Sequence, residues 1–475
     1  MRRLLRVIGF LACLGLMLSG LCFVTSYKYG DGIVQPQNVD RLPEQSCDVM
    51  FFGSSRVFEN IDTGQLWDTW GIAAFNSCGS VQPLWDTYYY MRQAFERQHP
   101  RVAVVEVYRA VETRDYVDES RIIKNTFSLP PHLELPAKEV SAPEDQLMDY
   151  VLEFPFYHTR VEELTREDFL PNKGAQRWED WKGFSANFTS GKYEEPDPAA
   201  VTSRTPMSQK SEEYLEMIVD LCEEEGVPLV LICAPYPVSD EEQSVYNYVA
   251  DFAAERGIPF VNYNLMYDEL GIDFSTDFAN DQHLNYLGAD KFTAELGEYL
   301  TSSYDLPDRR GEAGYESWER DAADIRARVR DVELGGAWLP SALISATFEG
   351  ENAENMLVVV SGYQVNAESP EWRSMATVLG EYEVTVEPSG FSAVIDGGDL
   401  VFQSQSPTYE WHGEAGSTYV MASRNAGGAP ETRFPTASVE VPSGCVTVFV
   451  YDSLTDKTVS MSTWLPNASG VERVA

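Results

Sequence analysis

Between residues 48 and 304 the chain alternates short apolar runs with longer amphipathic stretches, and nothing else in the sequence restricts the fold as strongly. Residues 48–52 (DVMFF) form a brief apolar run that ends at Gly53. A helix-like stretch to Gly71 and a short strand over 72–75 follow, then helical spacing over 83–98 and a second apolar run, RVAVVEVY, over 101–108. An amphipathic stretch over 208–226 runs straight into a strand over 227–233. A helix over 240–256 stops at Gly257, a strand covers 259–263, and 284–304 reads as a last helix. Runs this apolar have no wetted face, as expected of parallel strands covered on both sides. Strands that alternate with helices predict an α/β fold with a doubly wound parallel sheet flanked by helices. Reactive groups in such a sheet collect at the carboxyl ends of the strands.

Two segments fall outside this pattern. Residues 110–206, rich in Pro, Trp, Tyr and charge, read as an insertion over the active edge of the sheet. After a helical connector over 305–340, residues 341–475 turn to short β-prone runs at 345–348, 356–360, 382–386, 392–395, 418–422 and 446–451. Turn signals such as Asp396-Gly397-Gly398 and Ala426-Gly427-Gly428 separate them, which predicts a β-rich C-terminal domain, sandwich or barrel. A chain of 475 residues fits two or three domains at about one per 150 residues.

The N-terminus carries Arg2, Arg3 and Arg6 ahead of an uncharged apolar run over 7–26. Twenty helical residues cover the ~30 Å hydrocarbon core, and positive charge before the run places the N-terminus in the cytoplasm and the bulk outside. Cleaved and lipoprotein signals are the rival readings. No small-x-small cleavage site stands out, and Cys22 follows Leu21 where a lipobox wants a small residue. Residues 27–44 then form a polar stalk. With Lys+Arg 35 against Asp+Glu 75 the net charge is -40, and clustered cations are confined to the first six residues, which excludes nucleic acid as a partner. Cys47 and Cys78 are the candidate disulfide pair outside the anchor. The cysteine spacing fits no zinc pattern and histidines number five, so neither metal nor cofactor is expected.

Two motifs suit nucleophilic chemistry. Gly53-Ser54-Ser55-Arg56 follows a buried strand, where a glycine permits the bend that stands a serine hydroxyl beside helix N-terminal amides. The competing reading is a serine that caps the next helix. Asp277-Phe-Ala-Asn280-Asp281-Gln282-His283 precedes the last helix and supplies a histidine next to side chains able to fix its tautomer. The aromatic run 85–90 falls on a helix, where rings pack into a core more often than they stack on sugar. His412 reads as a packed or surface histidine.

FFGSSRVFENID, AAFNSCGSVQPL, RVAVVEVY and DFANDQHLNYLGADK together resemble the SGNH/GDSL hydrolases over residues 45–304. They are more closely similar to a surface-anchored bacterial branch related to teichoic-acid D-alanylation proteins and polysaccharide O-acetyltransferases. The resemblance implies Ser55 as nucleophile and His283 as general base, with the Ser55 amide and Gly79 as the oxyanion hole. The acid usual three residues before the histidine falls on Asn280; an amide can orient a histidine but cannot stabilise an imidazolium as a carboxylate does, so either Asp281, preferred by proximity, or Asp277 takes that role, or activity is weakened. Arg109 ends its strand where substrate-binding residues are expected, an ordinary surface arginine being the other reading. Phe154-Pro-Phe-Tyr-His158-Thr-Arg160 in the insertion resembles a His/Arg-bearing stretch of the same branch, so His158 and Arg160 would either bind substrate or tether the insertion to the sheet. The implied reaction is serine-dependent acyl-ester hydrolysis or acyl transfer on an envelope polysaccharide or teichoic-acid-like polymer. The alternatives are a non-catalytic accessory protein, working on such a polymer or beside a membrane acyltransferase, and an envelope protein whose function resides in the β-rich domain.

Overall fold

The computed structural model describes every residue except 1, 27–37, 115–124, 127–128, 144–145, 153–156, 170–181, 338, 350–352, 416–417, 435–437, 468–469 and 475. The chain divides into two compact units, Met1–Ala323 and Asp324–Ala475.

The first unit is built on five strands, β1 (Val49–Gly53), β2 (Ala74–Cys78), β3 (Val102–Glu106), β4 (Leu229–Cys233) and β5 (Phe260–Asn262). They lie in the order β2-β1-β3-β4-β5, and every pairing is parallel. β1, β2 and β3 are buried at every residue because helices cover both faces, which is why their sequences show no alternation. The chain reverses its direction of growth between β1 and β3, so a crevice opens at their carboxyl ends. Asp48, just before β1, is fastened by Arg309 through paired bonds of 2.9 and 3.0 Å, and the Trp318 indole donates to Ala74 O at 3.0 Å. Part of the expected stalk is packed: Val39 and Leu42 are buried in the core of this unit. Trp85, Tyr89 and Tyr90 are buried on the helix Leu84–Phe95, as their helical position suggests. Cys47 and Cys78 are both buried and not joined to each other, so the expected disulfide is absent, and burial pushes the Cys47 thiol up to about 12.

The strands of the second unit are β6 (Met356–Gly362), β7 (Phe391–Asp396), β8 (Asp399–Ser404), β9 (Tyr409–Ala415), β10 (Thr418–Arg424), β11 (Pro430–Arg433), β12 (Ser438–Glu440), β13 (Val446–Asp452), β14 (Lys457–Asn467) and β15 (Gly470–Arg473). A six-stranded antiparallel sheet, order β15-β14-β13-β6-β7-β8, faces a four-stranded one, order β12-β11-β10-β9. Met356, Val358 and Val360 of β6 pack among Leu343, Ile344, Trp372 and Met375, which lie on the helices Pro340–Phe348 and Pro370–Glu381. Leu357 and Val359 face Val420 and Ala422 of the other sheet. The expected sandwich thus has a helical layer on its outer face, and two expected strands are corrected. Residues 345–348 end the helix that Pro340 opens. Residues 382–386 leave a helix instead of joining a ladder: Glu383 takes φ 63, and the Val384 amide donates to Leu379 O at 3.0 Å.

The close of β1 depends on one glycine. Gly53 has φ +147, and a Cβ there would meet Glu106 O of β3 at 2.9 Å and Val57 Cγ2 at 3.0 Å. Gly53→Ala is expected to destabilise the first unit by about 1–3 kcal/mol from backbone strain alone. Urea unfolding followed by tryptophan fluorescence measures this; an unmoved transition would contradict the packing described.

Candidate active site

Gly53 turns the chain off β1 so that Ser55 becomes the first residue of the helix Ser55–Asn60. Ser54 stands at the cap position, but its hydroxyl caps nothing and is buried without a hydrogen-bond partner. The hydroxyl of Ser55 is half-buried and lies 2.7 Å from Nε2 of His283, 228 residues along the chain. The loop that delivers His283 is held at both sides. Phe278 bridges to Gly191 and Leu284, the Ala279 amide donates to His283 O at 3.0 Å, and the Leu284 amide donates to Asn60 Oδ1 at 3.1 Å.

Asn280 settles which nitrogen of His283 carries the proton. Its Oδ1 accepts from the peptide N–H groups of Gln282 at 2.9 Å and His283 at 3.1 Å. Two obligate donors require an oxygen at that position, which excludes the flipped amide. The same oxygen lies 2.9 Å from His283 Nδ1, so Nδ1 bears the hydrogen and Nε2 presents its lone pair to Ser55. This is the arrangement in which a histidine can take a serine proton. The sequence expectation for the orienting side chain is corrected. Asp281 is exposed, and Asp277 is buried in an ion pair with Lys291 while accepting from the Asp273 amide at 2.8 Å.

The electrostatics differ from those of a triad with a carboxylate behind the imidazole. Burial and the Arg56 charge push His283 down from its ordinary 6.5 to about 4. The Glu59 carboxylate, 3.9 Å from Nε2, works in the opposite direction; burial together with Arg56 outweighs it. Glu59 follows Ser55 by one helical turn, and its Oε2 accepts from Asn187 Nδ2 at 3.0 Å. It is therefore an acidic group placed to face an imidazolium formed at Nε2. Arg56 is wholly buried, its guanidinium 3.6 Å from the Tyr108 ring centroid and 3.3 Å from that of Tyr236. None of its nitrogens has a hydrogen-bond partner, so ring faces take the place of the usual acceptors. Burial pushes the neighbouring Glu106 up to about 7 against the pull of Arg56, and its Oε1 accepts from the Tyr108 amide at 3.1 Å.

The remaining expected site residues divide. Gly79 follows Cys78, the residue paired with Gly53, which puts it at the same sheet edge as Ser55. The space of a side chain there is taken by Asn125 Oδ1 and Gln82 Oε1. Arg109 is bound to Glu112, which also accepts from Arg114 Nε at 3.0 Å, and no described contact joins Arg109 to Ser55 or His283. Arg160 donates to Thr25 O at 2.9 Å and Ser26 O at 3.0 Å, and pairs with Asp168. These contacts tie it to the end of the N-terminal helix, and His158 is exposed on the same 3-10 segment, His158–Glu163. Residues 154–156 of that motif lie outside the described residues. His412 is exposed and bonded to Glu410 at 2.6 Å. Sequence reasoning passed over Arg56, Glu59, Glu106 and Asn187. The i, i+4 spacing of Ser55 and Glu59 was a usable signal, whereas nothing local announces Asn187.

No protein-family model matches the chain, and no curated protein is significantly similar to it.

An NMR titration of the His283 imidazole should show a midpoint near pH 4. Asn280→Asp should raise it by about 1–3 pH units by setting a carboxylate against Nδ1. Asp281→Asn should leave it in place. A midpoint moved by Asp281→Asn and not by Asn280→Asp would reverse the assignment.

Proposed function

We propose that this chain is a single-pass envelope protein, with its N-terminus cytoplasmic, whose outer α/β unit performs serine-dependent acyl-ester chemistry of the SGNH type. The acceptor or substrate is an envelope polysaccharide or a teichoic-acid-like polymer, and the acyl group leaves by hydrolysis or by transfer. The observation that carries this reading is the 2.7 Å contact between Ser55 Oγ and a His283 Nε2 whose lone pair faces the hydroxyl. In the proposed reaction His283 takes the Ser55 proton as Oγ attacks the acyl carbonyl. The alcohol then leaves with that proton, and water or a sugar hydroxyl releases the acyl-enzyme by the reverse path. The Ser55 and Gly79 amides are the proposed oxyanion donors. Membrane attachment is supported by the helix Arg2–Thr25, of which Arg3–Thr25 is long and apolar enough to cross a bilayer.

One observation favours a second reading. The orienting group is the amide of Asn280, and a histidine pushed down to about 4 is a weak base. An SGNH-like scaffold that binds polymer, or assists a membrane acyltransferase, would tolerate both. Turnover of p-nitrophenyl acetate separates the two readings. The catalytic reading expects measurable hydrolysis whose kcat/KM falls about 1,000-fold or more in Ser55→Ala and in His283→Ala. Hydrolysis equal in wild type and both variants would remove the proposed mechanism.

A further inference from the structure

The end of the N-terminal helix is built into the insertion. Twenty-four residues at 1.5 Å each give Arg2–Thr25 a length of about 36 Å, a turn more than the ~30 Å hydrocarbon core requires. With Arg2 and Arg3 at the inner headgroups, the last turn emerges at the outer interface. Leu4 to Leu21 are largely exposed, whereas Thr25 and Ser26 are 0% and 1% exposed. The 3-10 segments His158–Glu163 and Arg166–Phe169 lie against this helix.

Arg160 makes the junction. It donates to the carbonyls of Thr25 and Ser26, groups left without partners at a helix end, and its charge is met by Asp168. Asp168 also accepts from the Thr165 amide at 2.8 Å, so the two segments are cross-linked around the helix terminus. The same two segments turn apolar side chains outward, with Val161 50% and Phe169 60% exposed. Leu135, Met148 and Val151 of the same insertion are exposed as well. Among the described residues of the first unit beyond the helix and the insertion, only Met217, Leu265 and Leu287 are large, apolar and comparably open.

We propose that residues 158–169 form a membrane-interface seat, in which Val161 and Phe169 rest in the outer headgroup–acyl boundary beside the spanning helix. The proposal rests on the reading of Arg2–Thr25 as a retained span. The occupant is lipid because the segments grip the helix at the turn that leaves the hydrocarbon, which fixes their height at the interface. Interfacial elements bury their apolar face about 5–10 Å into this boundary. The exposed charges of these segments are mixed, Arg166 and His158 beside Glu162 and Glu163, which suits a zwitterionic headgroup layer better than an anionic one. The first unit then stands directly on the membrane instead of swinging on a free tether.

The test uses the full chain in phosphatidylcholine nanodiscs, with an NBD fluorophore on Val161→Cys or Phe169→Cys. Met217→Cys serves as the aqueous reference, and the wild type as the labelling blank. The expected result is several-fold stronger quenching by headgroup spin-labelled lipid at 161 and 169 than at 217, with iodide showing the opposite order. Equal iodide quenching at all three sites in protein that stays in the discs would overturn the seat while leaving the span intact. Protein recovered outside the discs would overturn both.

Discussion

A single side-chain oxygen, Oδ1 of Asn280, gathers two peptide N–H groups and the Nδ1–H of His283. Because two of its three donors cannot be anything else, the amide cannot flip, and the imidazole has one tautomer open to it. The lone pair of Nε2 therefore meets the Ser55 hydroxyl. Gly53 supplies the other half of this geometry, since only a residue without a Cβ lets β1 end against Glu106 O and release Ser55 at the crevice. The Leu284 amide, bonded to Asn60 Oδ1 at the end of the Ser55 helix, ties the two halves together.

The charge distribution around this pair has a direction. A carboxylate behind the imidazole would stabilise the imidazolium; an amide does not, and the buried Arg56 opposes it. Among the described residues the Glu59 carboxylate pairs with Nε2, and it approaches from the helix of Ser55 instead of from the histidine's loop. The arrangement keeps the base unprotonated well into acid, at the cost of basicity.

The parallel sheet was legible because its strands are apolar throughout and its helices are periodic, and both properties are local. Ser55 and His283 were legible for a similar reason: each sits in a short motif beside an element end. The orienting group was misjudged, since chemistry favours a carboxylate, whereas position makes Asp281 point to water and Asn280 face the ring. Arg109, a candidate by its place at a strand end, and Arg160, a candidate by resemblance, each had a structural reading beside the substrate-binding one, and each is held in a structural pairing, with Glu112 or with the end of the N-terminal helix. In the second unit, residues 345–348 and 382–386 are β-prone in isolation, but Pro340 opens a helix over the first and a helix C-terminus absorbs the second. Contacts made across 128 residues, such as Glu59 with Asn187, leave no trace in any local window.

The central claim is that Ser55, and not its neighbour Ser54, is an activated nucleophile. Treating the folded chain with a fluorophosphonate and mapping the adduct by peptide mass spectrometry tests it directly. One phosphonyl adduct is expected, on Ser55, formed nearly as fast at pH 5.5 as at pH 7, since His283, pushed down to about 4, is unprotonated at both. An adduct on Ser54, or none on Ser55 in folded protein, would contradict it.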